Sequence, residues 1–318
     1  MTRIAAALTI TNCLLLSAGT ARAQEPAYAT GQGPVVLIDL AHHNACGAEA
    51  QASMIRFLED DGYQVRKLEV PFGSDILDSA QIAFIIGALS AQNALPDGFT
   101  QEEFEQAWRL PTPSAFSEDE VTILAEWVAA GGSVLLVLDH MPLAGAAQDL
   151  AAAFDIQVSN GYAVDPNLLT GVSPPSVAQA GSVVFRRSDG TLVEHPITSG
   201  RNVAERVDSA AMYVGSAIRL PSSASSLLTL GPTFVSLLPS VAWVFSDTTL
   251  REPVGGWSQG GVLRVGDGRL AIFGEHGILA TPELVAADAA NADNNPQVQN
   301  PQLLLNALHW LSGLLDEE

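Results

Sequence analysis

The sequence predicts an α/β fold built on a mainly parallel sheet, and three observations predict it. Near-continuous apolar runs recur at 34–39 (PVVLID), 82–89 (IAFIIGAL), 133–138 (SVLLVL) and 269–274 (RLAIFG), which suits strands covered on both faces rather than strands with a solvated side. Helical segments separate the first of these runs, giving a β-α-β-α-β alternation whose crossovers are right-handed. Polar residues cluster just after three of the runs, at the carboxyl ends where open parallel sheets bind ligands.

The elements follow in order. Residues 1–23 have the form of a signal peptide, 24–33 are a short mature leader, and 34–318 form one α/β domain. After the first strand, 34–39, a helix is expected over 48–60 with Met54, Phe57 and Leu58 on its apolar side. Asp61-Gly62 then turns the chain into an outer strand at 63–70, followed by a helical turn at 76–79 and the buried strand at 82–89. Residues 90–113 interrupt the alternation with a polar segment holding Phe99, Phe104 and Trp108. A loop of this length with a short helix, lying over strand ends, is expected to be a lid or a binding segment.

The next helix can be argued residue by residue. Ser117 and Glu120 make an S-x-x-E capping box, and Glu118 and Asp119 place negative charge against the positive end of the helix dipole. Val121, Leu124 and Val128 form its apolar face. Gly131-Gly132 ends it, and the strand at 133–138 runs into Asp139-His140. An alanine-rich helix is expected at 145–154. Residues 155–265 read as a β-rich elaboration inserted before the last core strand, with runs at 182–185, 212–218 and 227–230 and turns at Asp189-Gly190 and Asp267-Gly268. The last core strand, 269–274, ends in Glu275-His276, and Asn300-Pro301 caps a final helix.

Composition narrows the class. An apolar content of 47% with 15% charged residues indicates a globular chain. Lysine and arginine total 14 against 35 acids, Lys67 is the one lysine, and the net charge is −21. Such a surface repels nucleic acid and anionic membrane, both of which need a basic patch. Arg3, the apolar stretch 4–16 and the Ala21-Arg22-Ala23 cleavage signal predict export to the periplasm or medium, with no membrane insertion after cleavage. The apolar stretch falls short of the ~20 residues a spanning helix needs. Cleavage removes Arg3, Arg22 and Cys13, taking the charge to −23 and leaving Cys46 as a lone thiol that is either buried or reactive.

The candidate pocket gathers Asp39, His42 and Asn44 after the first strand, Asp139 and His140 after the fourth, and Glu275, followed by His276, after the last. In a doubly wound sheet these ends share one rim, with the 90–113 segment over it. Each residue also has a purely structural use, as a helix cap or a packed imidazole. The leading expectation is an exported binder of a small molecule, carbohydrate included. A rival is a metal-assisted or acid/base hydrolase of a neutral sugar, ester or amide, in which His42, Asp139 and His140 hold a divalent metal or a water and Glu275 and His140 are the catalytic candidates. A third is a non-catalytic scaffold with an envelope or transport protein partner. No H-E-x-x-H, C-x-x-C or G-x-S-x-G is present. The Asp/Asn-rich loop 288–300 lacks the calcium-loop pattern. Arg186-Arg187 suits either an anion or a solvated strand end, and His309 beside Trp310 is expected packed or exposed.

The chain also resembles a known group. VVLID with its downstream His and Asn, WRLPTPSAFS, AEWVAAGGSVLLVLDHMPLAGAAQDLAAAF, FRRSDGT, EHPIT, FGE and LLLNALHWLSGLL are similar to uncharacterised bacterial exported proteins with a class I glutamine-amidotransferase-like domain, a family of unknown function. The resemblance implies a three-layer α/β/α, flavodoxin-like fold and no established activity. True amidotransferases carry a cysteine nucleophile in G-x-C-x-G and a later His-x-Glu. Here the matching strand runs into Asp139-His140-Met141-Pro142 and the later pair is Glu275-His276, so the resemblance does not extend to glutamine hydrolysis.

Overall fold

The computed structural model describes residues 25–44, 48–96, 98–169, 183–279 and 298–316. Residues 1–23, expected to be a signal peptide, Cys46 and most of the Asp/Asn-rich loop lie outside the described residues. Five parallel strands form the core: β1 (Val35–Asp39), β2 (Gln64–Leu68), β3 (Ile82–Ile86), β4 (Ser133–Val137) and, much later in the chain, β14 (Gly268–Phe273). Their order, β2-β1-β3-β4-β14, with every pair parallel, is the flavodoxin-like order. β2 lies at the edge of the sheet with a mostly exposed pattern that includes Arg66 and Lys67. Charged side chains there discourage pairing with another chain.

Successive side chains on the central strands enter two different cores, as the strand period of two requires. Val36 and Ile38, Phe84, Leu135 and Val137, and Phe273 pack on one face with Met54 and Leu58 of helix α1 (Ala48–Asp60) and Leu303, Leu304 and Leu308 of helix Asn300–Leu311. Val35, Leu37, Ile85, Leu136 and Ile272 pack on the other with Leu77 of α2 (Ser74–Leu77) and Leu124 and Val128 of helix Glu118–Ala129. These are the three layers. Among the described residues no helix is long and apolar enough to cross a membrane.

The elaboration does more than decorate this sheet. It supplies β5 (Gln157–Val158), β9 (Ile218–Arg219), β10 (Ser225–Thr229) and β13 (Ser258–Val265), which extend the sheet beyond β14 with antiparallel pairing. It also supplies two small sheets, β12-β11-β6 (Leu250–Pro253, Val235–Leu238, Tyr162–Val164) and β7-β8 (Val183–Arg186, Ser209–Met212).

Three local expectations change. The 145–154 helix is two short ones, Leu143–Ala146 and Gln148–Ala152, separated at Ala147, whose φ −101° and ψ 7° leave the helical region; the Gly145 N–H in the first donates to Asn160 Oδ1 at 3.0 Å. The 212–218 run is broken between β8 and β9, because Gly215 passes so close to Glu275 and the Gly274 carbonyl that a Cβ there would lie 2.2 Å from that oxygen. Asn300 does not cap the final helix: it is the first helical residue, and its amide accepts from Ala211 N–H at 2.9 Å and donates to the Ala211 and Gly277 carbonyls. The side chain serves the edge of β8 instead of its own helix.

Candidate functional site

The strand ends do gather polar residues, and they do so in two groups. In the first, Asp39 at the end of β1 accepts from Ala41 N–H at 3.0 Å and from His42 Nδ1 at 2.9 Å, both on Oδ1. The other ring nitrogen, Nε2, is 3.0 Å from Glu120 Oε1. Glu120 is the capping-box residue of helix Glu118–Ala129: its Oε2 takes the Ser117 N–H at 3.1 Å while Oε1 takes the Phe72 N–H at 2.9 Å. Phe72 stacks on the imidazole with centroids 5.7 Å apart, and Phe116 packs against it tilted at 4.5 Å. Burial alone would lower the His42 pKa, but the two flanking carboxylates raise it. Both ring nitrogens of His42 thus face carboxylates, and the side chain bridges a strand end and a helix start. Asn44 donates to the Ile86 carbonyl at 2.8 Å and the His42 carbonyl accepts from Leu89 N–H at 2.8 Å. These two bonds stitch β1 to β3 at the point where strand order reverses, the usual ligand crevice of this topology.

The second group lies at the ends of β4 and β14. Asp139 Oδ1 accepts the His140 N–H at 2.7 Å, and Oδ2 is 3.2 Å from His276 Nδ1. Glu275 Oε2 takes two backbone N–H groups, from Tyr213 at 3.0 Å and Gly277 at 2.6 Å. His140 Nδ1 lies 2.7 Å from the Met141 carbonyl. A carbonyl only accepts, so Nδ1 carries the proton and Nε2 the lone pair. The His140 ring stacks on Tyr162 at 4.8 Å and meets Trp243 edge-on at 4.6 Å. Trp108, Phe104 and Phe99 continue this apolar cluster. The 90–113 segment therefore lies over the strand ends as expected, its helix Gln101–Ala107 capped by Thr100 and Glu103.

Asp139, His140, Glu275 and His276 are each at most 3% exposed. Burial drives both carboxyls up to about 8, Glu275 helped by the Asp139 charge. Burial drives His140 down to about 4 and His276, which also faces His140, down to about 3. Burial thus disfavours the charged form of all four side chains. His42, Asp139 and His140 do not form a ligand set as they stand: both His42 nitrogens face carboxylates and His140 Nδ1 is spent on a carbonyl. Among the described residues no group of three or more His, Cys, Asp or Glu side chains is arranged around one ion position.

Two residues outside the sequence-derived pocket belong to these groups. His276 was signalled by standing directly after Glu275 at a strand end; Glu120 carried no signal beyond its capping role. The backbone holds His276 closely. Gly87, after β3, has φ +52°, and a Cβ there would lie 2.7 Å from His276 Nε2. Gly87→Ala is expected to destabilise the protein by about 1–3 kcal/mol through overpacking and the left-handed backbone, read as a lower urea midpoint at unchanged m-value.

Fold and site together define a flavodoxin-like α/β protein with a closed carboxyl–imidazole cluster at its strand ends. No family model and no curated protein matches the chain. Among solved structures, the N-terminal domain of mmIFT52 superposes with a TM-score of 0.51 at 12% identity, over 87% of this chain and 97% of that one. Cytoplasmic Protein STM1381 from Salmonella typhimurium LT2 gives 0.46 at 11% identity, over 87% and 98%. A ThuA-like protein from Bacteroides uniformis ATCC 8492 gives 0.45 at 13% identity, over 89% and 93%. At such identities the likeness concerns the fold alone.

Proposed function

We propose that this chain is an exported, periplasmic or secreted, small-molecule-binding protein of the class I glutamine-amidotransferase-like group, holding a neutral, hydrogen-bonding ligand at the carboxyl ends of β1, β3, β4 and β14. One observation carries the reading: among the described residues, polar atoms at these ends are buried and have no hydrogen-bond partner, namely His276 Nδ1 and Nε2, Asn44 Oδ1 and Asp39 Oδ2. His276 Nδ1 is near Asp139 but off the line a hydrogen bond needs. Buried groups of this kind cost about 1–3 kcal/mol each unless something polar meets them. The burial that disfavours charge in the second group, and the net charge of −21 over the whole chain, favour an uncharged ligand such as a sugar or polyol over an anion. His43 (φ +43°) and Trp243 (φ +63°) hold left-handed backbone beside the two groups, a strain that clusters at ligand sites.

Entry requires the 90–113 segment to move, since the cluster is closed to solvent. The reading is tested by thermal shift with a panel of neutral mono- and disaccharides and polyols, on wild type and His276→Ala. A ligand present at 100 times its Kd adds about 2.7 kcal/mol of stability, and that gain is expected to vanish in the variant. A panel that moves neither protein, or both equally, would sink the reading. The hydrolase rival is separated by His140→Ala, which would cut turnover by orders of magnitude in an enzyme and only weaken affinity in a binder. A docking scaffold draws support from the exposed apolar side chains Leu110, Val244 and Leu250; a partner retained by wild type and lost on Leu250→Asp would favour it.

A further inference from the structure

A groove of about 520 Å³ lies beside the β7-β8 ribbon, lined by Arg186, Arg187, Ser188, Arg206, Asp208 and Ser209. Its walls hold three arginines and one aspartate in a chain whose acids outnumber its bases by 35 to 14. The three arginines are not equivalent. Arg187 is a structural staple: its guanidinium donates to the Thr198 carbonyl at 2.7 Å and the Val207 carbonyl at 3.2 Å, and pairs with Glu194. Arg206 is half exposed and uses only Nε, on Asp208 Oδ1 at 2.8 Å. That same oxygen is 3.4 Å from Arg187 Nε, so one carboxylate is shared between two cations. Arg186 makes one long side-chain hydrogen bond, 3.4 Å to the Val184 carbonyl of its own strand, and its charge also acts on Asp189. Among the described residues no hydrogen bond occupies the terminal nitrogens of Arg206, and Arg186 keeps most of its donors.

We infer that this groove is a second binding site, for a small anion bearing a phosphate or carboxylate group, with the guanidinium forks of Arg186 and Arg206 as its ligands. Planar forks match oxyanions in two-bond geometry, and such charge-assisted bonds are about twice as strong as neutral ones. The surrounding acidity repels an approaching anion at long range, but over distances beyond a Debye length of about 8 Å at physiological salt that repulsion is screened. Contact with the forks then decides. The site is separate in chemistry from the strand-end cluster, which favours an uncharged ligand.

The test is isothermal titration of the full chain, at physiological salt, with inorganic phosphate and in parallel with succinate. Saturable one-site binding at about 1 mM or tighter is expected for at least one of them, and which one responds identifies the recognised group. Arg206→Gln and Arg186→Gln are each expected to weaken it at least about tenfold, while Arg251→Gln, an exposed arginine of β12, leaves it unchanged. Thermal midpoints of the variants near that of wild type show that the fold survives. Absence of saturable binding for both anions, unaltered affinity in both groove variants, or an equal loss in Arg251→Gln would overturn the assignment.

Discussion

Replacing His42 with alanine is expected to destabilise the protein by about 3–5 kcal/mol, the range for breaking a buried ion pair by removing one partner. The side chain stands between Asp39 and Glu120, with ring nitrogens 2.9 and 3.0 Å from their carboxylates. Its loss leaves two buried acids facing a cavity between Phe72 and Phe116. It also unties the end of β1 from the start of helix Glu118–Ala129. The measurement is urea unfolding of His42→Ala, Glu120→Gln and the double variant. The double is expected to fall well short of additivity, because both changes dissolve one network. A loss below about 1 kcal/mol for His42→Ala, the level of an exposed pair, would show that the bridge does not hold the rim together, and would return His42 to the pool of residues free to meet a ligand.

Stability is expected to fall as pH rises above about 6.5, by up to about 4 kcal/mol by pH 8 if two protons are involved at about 1.4 kcal/mol per unit each. The sign follows from where protons sit. Folding raises Asp139 and Glu275 from 3.8 and 4.5 to about 8. These contributions are complete below the unfolded values and are lost as pH climbs through the folded ones. Folding lowers His140 and His276 from 6.5 to about 4 and about 3, which contributes stability above 6.5 that is lost as pH falls.

Between about pH 4.5 and 6.5 the native cluster holds two protons on its carboxyls and the unfolded chain holds two on its imidazoles, so stability is level. Above 6.5 only the native state keeps its protons, and alkali favours unfolding. Below 4.5 the unfolded carboxyls protonate as well, and acid favours unfolding. His42, whose pKa is raised by its carboxylates, adds to the alkaline loss. Unfolding midpoints followed from about pH 4 to 9 in wild type and in an Asp139→Asn/Glu275→Gln variant check this. Above pH 6.5 the variant should keep only the shallow decline due to His42, whereas below it the lowered His140 and His276 make its stability rise with pH. A wild-type midpoint level or rising from pH 6.5 to 8 would refute the protonated carboxyl cluster.

The helical and core-strand elements were legible because their signals are local. The capping box at Ser117 and Glu120 lies four residues deep and forms as read, helix Ala48–Asp60 has the predicted bounds, and buried runs such as 133–138 became central strands because only a sheet covered on both faces hides them. The β-rich stretch was legible in kind but not in pairing, since antiparallel partners such as β13 and β10 are chosen by register across distant segments. Asn300 misled for the same reason: an asparagine before proline reads as a cap, and only the position of β8 makes its amide more useful elsewhere.

The sequence by itself determined the fold class, the acidic surface and which strand ends carry acids and imidazoles, because periodicity, composition and strand-end placement need no knowledge of distant neighbours. Tertiary structure alone decided that these residues divide into an Asp39–His42–Glu120 bridge and an Asp139–His140–Glu275–His276 cluster. Hydrogen bonds form over about 3 Å, and burial sets which groups stay charged. Both depend on what the rest of the chain brings within reach, and Glu120, 78 residues from His42, comes within reach only once the sheet has closed.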